Sequence, residues 1–97
     1  MRIISACVRY KKIGTAEPYS YMEGNSHCNC YDTLCCMDIF ARVSPEKFDV
    51  TEGFMCEDNQ FVDRIEAMKI AKKYDQLKNE YKDTDSSVLY SYMVNYA

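Results

Sequence analysis

Tryptophan is absent from this 97-residue sequence, histidine occurs once, and there are only three Gly and two Pro. With 47% hydrophobic and 28% charged residues, this composition excludes a disordered tail and describes an ordered chain. No apolar run is long enough to span a bilayer. An excess of positive charge is missing too. The net charge of −3 excludes a protein that coats duplex nucleic acid nonspecifically, yet leaves room for one phosphorylated ligand held by a local cluster of donors. The opening residues do not read as a signal peptide, because Arg9 interrupts any hydrophobic region, so the expectation is a cytoplasmic protein that neither enters nor spans a membrane.

A chain of this length forms one domain, residues 1–97, or one protomer of an oligomer, and buries only a modest core. Nine Tyr and four Phe are many for such a core, which points some rings toward a subunit interface or a ligand pocket. The six cysteines (Cys7, Cys28, Cys30, Cys35, Cys36 and Cys56) read as reduced, mostly buried thiols in a reducing compartment.

Arg2–Lys11 alternates like a strand, with Ile4, Ala6, Val8 and Tyr10 as its apolar face. Tyr19–Met22 suits a short return strand, and Ser26 or Asn25 can cap a helix over His27–Phe40 with Cys28, Tyr31, Cys35 and Ile39, and Leu34 beside them, as its stripe. Arg42–Asp49, which holds Pro45, reads as a connector. Val50–Cys56 and Gln60–Val62 bracket Glu57-Asp58-Asn59 as a hairpin. Asp63 is then an N-cap with Glu66 three residues on, and apolar spacing carries this helix to Tyr81. Val88–Tyr96 is a last strand or an arm that docks on a partner subunit. The fold class expected is α+β: a small antiparallel β-sheet with two α-helices, in a homo-oligomer.

Chemistry is sparse. His27-Cys28-x-Cys30 with Cys35-Cys36 has zinc-ligand types but poor spacing, because neighbours on a helix point about 100° apart. The same residues make a weak Cys–His nucleophile, with no orienting third group. The hairpin–helix junction at residues 51–81 is more informative. Arg64 in the first helical turn, beside unpaired backbone N–H groups, makes an anion site, and Phe54 or Phe61 offers a flat surface for a purine. On the residues alone a plainer reading is favoured, in which both rings are core and Arg64 pairs with an acid such as Glu57.

Gly53-Phe54 followed by Phe61-Val62-Asp63-Arg64-x-Glu66-Ala67-x-x-Ile70-Ala71 resembles the G-F-x-T-x-x-G-R-F-V-D-R-x-E-A-x-x-I-A pattern of the first described anti-Thoeris family of phage proteins. The opening Ile-Ile-x-Ala-x-x-Arg-Tyr-Lys, Gly24-x-x-His27-Cys28 and Leu89-Tyr90-Ser91 are similar to that family's first strand, first helix turn and closing motif. Cys56 stands where the pattern has Thr, Asn59-Gln60 replaces Gly-Arg, and Tyr92-Met93 replaces Glu-Asp. The resemblance implies a sponge and not an enzyme, with no catalytic residue, metal or cofactor. Such a protein holds a cyclic ADP-ribose isomer made by TIR-domain defence enzymes, or cyclic oligonucleotides from related systems, intact in the host cytoplasm. It also implies homodimers and, in some members, larger assemblies. The resemblance and the junction's chemistry together suggest Arg64 for phosphate, Phe54 or Phe61 for stacking, Asp63 for ribose hydroxyls or the helix cap, and Asn59 for a base edge, with His27 and Arg9 completing the set. The alternatives are a small interaction module that inhibits a host protein through its aromatic tail, and a metal-binding domain on the Cys–His helix.

Overall fold

The computed structural model describes residues 1–37 and 47–97. Four antiparallel strands form one sheet in the order β2-β1-β3-β4: β1 is Ile3–Lys12, β2 Ser20–Gly24, β3 Phe48–Cys56 and β4 Phe61–Asp63. Two helices, α1 (His27–Cys36) and α2 (Arg64–Lys73), pack on this sheet. The α+β class is thus as expected from the sequence.

The sheet's apolar face holds Ala6 and Val8 on β1 with Phe48 and Phe54 on β3, and α2 supplies Ala67, Met68 and Ala71. A register irregularity between Ile3 and Ser5 breaks the alternation. It makes Ile3 the buried member of this face, where strict period two would assign Ile4. Cys7 and Met55 are also buried but stand outside that main core. By alternation and register they belong to the opposite face, opposite Gly53 and Phe61 respectively.

Ser26 caps α1 as expected, its hydroxyl accepting from the Asn29 N–H at 3.0 Å. The buried stripe is His27, Cys30 and Leu34, with Tyr31 beside it, while Cys28 and Cys35 are exposed. The phase differs by one residue, with the His27 ring turned inward to the Gly53 carbonyl of the sheet and to Arg64 of α2. The expected continuation of this helix to Phe40, including Ile39, and most of the connector lie outside the described residues.

The hairpin turn forms at Glu57–Asn59. The Asn59 N–H donates to the Cys56 carbonyl at 2.9 Å, and Asn59 adopts the left-handed region (φ 61°). This gives the residue a backbone role at an exposed turn. Asp63 caps α2 by accepting from the Glu66 N–H at 2.8 Å.

α2 does not run to Tyr81. It stops at Lys73 because Asp75 takes φ 55° and the Gln76 N–H returns to the Ala71 carbonyl at 2.8 Å, a Schellman ending. Glycine fills this conformation without the steric cost of a Cβ. Asp75→Gly is therefore expected to raise stability by about 0.5 kcal/mol, after loss of the exposed Asp75–Lys82 pair, as measured by urea denaturation.

The C-terminal segment is not a full strand: it folds back on its own chain. Val94 bridges Leu77, the Asn95 N–H donates to the Gln76 carbonyl at 2.7 Å, and the Ala97 N–H donates to the Ile3 carbonyl at 2.9 Å. Leu89, Met93 and Val94 are buried, and Tyr90 and Tyr92 are exposed. Gln76, only 4% exposed, fastens this closure. Its amide donates to the Ile3 carbonyl (2.8 Å) and the Asn95 carbonyl (3.1 Å), and its oxygen accepts from the Ile3 N–H (2.9 Å).

Candidate functional site

The seven residues singled out from the sequence divide between the two faces of the sheet. On the helical face, Glu52 projects from β3 among apolar neighbours and is held by polar partners. Arg64, the first residue of α2, donates Nη2 to it at 2.5 Å, and the Tyr31 hydroxyl donates at 2.9 Å. The acid paired with Arg64 is therefore Glu52, while Glu57 pairs with Arg2 at 3.1 Å. Tyr90 lies against the guanidinium, with 4.9 Å from Cζ to the ring centroid.

His27, the first residue of α1, joins this network. Its Nε2 lies 2.7 Å from the Gly53 carbonyl, which can only accept, so Nε2 carries the proton. Nδ1 then accepts from Arg64 Nη2 at 3.3 Å. Burial, assisted by Arg64, holds the imidazole below its ordinary pKa, against the opposing pull of the Gly53 hydrogen bond and Glu52. Burial and the bond to Glu52 likewise push the Tyr31 hydroxyl up.

Between 6.5, where an unfolded histidine titrates, and the lower folded value, the unfolded chain binds a proton that the folded chain does not. Stability contributed by this site is present above that pH and is lost as pH falls below it. The expected slope is at most about 1.4 kcal/mol per pH unit. Denaturation midpoints of the parent chain and His27→Gln, taken across this window, should diverge in pH dependence.

Phe54 is fully buried, with the His27 ring edge-on at 5.1 Å, so it is a core residue with no face left for a base. Asp63 spends a carboxylate oxygen on the helix cap, and Asn59 sits in the hairpin turn.

The opposite face of the sheet carries Arg9 and Phe61, with residues the sequence reading did not select. Arg9 Cζ is 4.5 Å from the Tyr19 ring centroid and 4.9 Å from that of Phe61. Lys11 Nζ lies 4.6 Å from the Tyr19 centroid, and Tyr21 packs against Phe61 at 5.8 Å. Cations and rings therefore interleave in the order Lys11, Tyr19, Arg9, Phe61, Tyr21. Strand pairing explains the gathering, because Arg9 stands opposite both Tyr21 and Thr51. Gly53 makes room for Phe61: a Cβ there would collide with that ring and with the Val62 carbonyl.

Among the described residues, no carboxylate forms an ion pair with Arg9. Its Nη2 reaches Thr51 at 3.5 Å, and its buried Nε, like that of Arg64, has no hydrogen-bond acceptor among the described residues. Arg64 is neutralised by Glu52, whereas the charge on Arg9 rests against rings. The signal that could have located Tyr19 and Tyr21 is the β1–β2 register, which brings both to the side of Arg9.

The cysteines are all free: Cys7, Cys30 and Cys56 are buried, and Cys28, Cys35 and Cys36 exposed. Among the described residues, no three His, Cys, Asp or Glu side chains converge on a point where a metal could sit. Nor is any helix long and apolar enough to cross a membrane. A cleft of about 410 Å³ lined by Ala71, Lys72, Asp75, Leu77 and Lys82 lies beside the end of α2.

Residues 2–94, nearly the whole chain, match the family described as phage T4 y16D protein. The chain belongs to this family. Its y16D-family membership makes it a phage-type protein, and both faces of the sheet lie within the matched span. No curated protein and no solved structure matches the chain.

Proposed function

We propose that the protein binds and sequesters a phosphorylated nucleotide signal, of the cyclic ADP-ribose or cyclic oligonucleotide kind, as a phage anti-defence sponge that leaves the ligand intact. One observation carries the reading: the Arg9 guanidinium is clamped between Tyr19 and Phe61 on the open sheet face, opposite the main core, and among the described residues no carboxylate pairs with it, Asp49 being bonded to the Tyr19 hydroxyl instead. Phosphate and a flat base are the two chemistries that such a clamp recognises. Sequestration needs no nucleophile or general base, only burial of rings and charge. The motif resemblance and the phage family support the biological setting, the infected cell's cytoplasm. A homodimer belongs to the same reading, supported by exposed Tyr21, Ile65 and Tyr92.

The test is to heat the pure protein with cyclic ADP-ribose isomers and with cyclic di- and trinucleotides, then recover the nucleotide. Stabilisation with intact nucleotide returned is expected. Absence of both ends the sponge reading, and recovery of a cleaved product replaces it with an enzyme. A second reading, a module that inhibits a host protein, is favoured by the exposed C-terminal Tyr90–Tyr92 stack (5.6 Å, 3° between planes). It gains ground if no nucleotide binds and a host protein is retained by the native chain but not by Tyr92→Ala.

A further inference from the structure

The single histidine is tied to both supports of the Phe61 ring. One support is Gly53, the bare strand position on which that ring lies. Gly53 and Asp63 form the last β3–β4 pair before the chain leaves the sheet for α2. There the Gly53 carbonyl meets His27 Nε2 at 2.7 Å, so a side chain from α1 stitches the sheet at the point where β4 ends. The other support is the start of α2. Phe61 lies three residues before Arg64 on a strand that runs directly into that helix, and Arg64 is bonded to His27 Nδ1.

We propose that His27 is the positioning residue of the open-face clamp: its two ring nitrogens fasten the two supports of Phe61, and protonating it loosens that ring from Arg9. The inference rests on the reading of that face as the ligand site.

The charged groups facing the imidazole are Arg64 from α2 and Glu52 from β3. Tyr31 of its own helix acts through Glu52, and Tyr90 of the C-terminal segment covers Arg64. When the ring is neutral, Nδ1 is an acceptor and the network closes. On protonation Nδ1 becomes a donor, so Arg64 Nη2 loses one of its two acceptors, keeps Glu52, and faces a second cation at the same distance. Glu52 is then the one carboxylate shared by Arg64, Tyr31 and the imidazolium. The first residues of α1 and α2 are driven apart, and β4 moves with α2 because no loop intervenes to absorb the shift. The neutral imidazole persists below the usual histidine range through burial, so the clamp stays closed at neutral pH.

The test uses the native chain, in which the lone imidazole gives one unambiguous NMR titration. The ring signals of Phe61, assigned with Phe61→Leu, are expected to move with the same midpoint as His27. In His27→Gln, which keeps an N–H donor for Gly53 but cannot titrate, they should stay flat. Affinity for a cyclic ADP-ribose isomer should fall by about fivefold or more across the same titration in the native chain alone. Phe61 signals that ignore the His27 titration overturn the proposal, even if His27→Gln fails to fold. Coupled signals without any nucleotide binding uphold the coupling and sink only the ligand reading.

Discussion

Gln76→Leu is expected to destabilise the protein by about 3 kcal/mol, since it strands the buried Ile3 N–H and removes a donor from the Asn95 carbonyl and one of the two donors to the Ile3 carbonyl, which keeps only the Ala97 N–H. Leucine has a similar volume, so the effect isolates hydrogen bonding from packing. A domain of this size has a total stability of roughly 5–15 kcal/mol, so this single amide accounts for a large share. The corresponding fall in Tm is roughly 15 °C. Gln76→Glu should also destabilise, because a carboxylate can still accept from Ile3 but then faces two carbonyl oxygens. Urea denaturation followed by circular dichroism reads both variants. A loss below about 1 kcal/mol for Gln76→Leu would show that the closure of the chain termini rests on Leu89, Met93 and Val94 instead.

Arg9→Ala is expected to weaken nucleotide binding roughly 10- to 100-fold, the loss of one or two charge-assisted hydrogen bonds of about 1.5–3 kcal/mol each after compensation. Arg9→Lys should recover only part, because an ammonium keeps the charge but neither the planar fork nor the stacking against two rings. Phe61→Leu should weaken binding by about 1–3 kcal/mol if a base stacks there. Arg9 packs between two rings, so its truncation should also lower folding stability by about 1 kcal/mol. Isothermal titration with each variant, alongside its unfolding curve, separates the two effects. Unchanged affinity in Arg9→Ala would move the site elsewhere. Arg64→Ala is likewise expected to cost stability, because it leaves Glu52 and Tyr31 without their cation in a partly buried place.

Local chemistry was legible and long-range chemistry was not. The Asp63 cap, the Ser26 cap and the turn ending at Asn59 each depend on residues a few positions apart. Their side chains announce themselves. The end of α2 was hidden because Asp75 occupies a left-handed position where glycine is the usual sign. The first strand was misphased by one irregularity between Ile3 and Ser5, which no residue type advertises.

The candidate site divided for a similar reason. Phe54 and Phe61 are equivalent as sequence, but opposite parity on adjacent strands sends one into the core and the other to the open face. Glu52 was invisible as a partner for Arg64, because an acid on an apolar strand face makes sense only once two helix starts converge on it. Tyr19 and Tyr21 join Arg9 through the β1–β2 register, a property of pairing that a single strand does not carry.

The bond between residues 97 and 3, with Gln76 joining strand β1 to Asn95, sets the order in which the chain can mature. On the ribosome, β1 emerges early with its outer backbone groups unpaired. It stays without its clasp until more than ninety residues have been made and have cleared the exit tunnel. The hairpin and α2 can form while synthesis continues, because their contacts are local. Final closure waits on residue 97, so it follows the hairpin and α2 in the order of assembly.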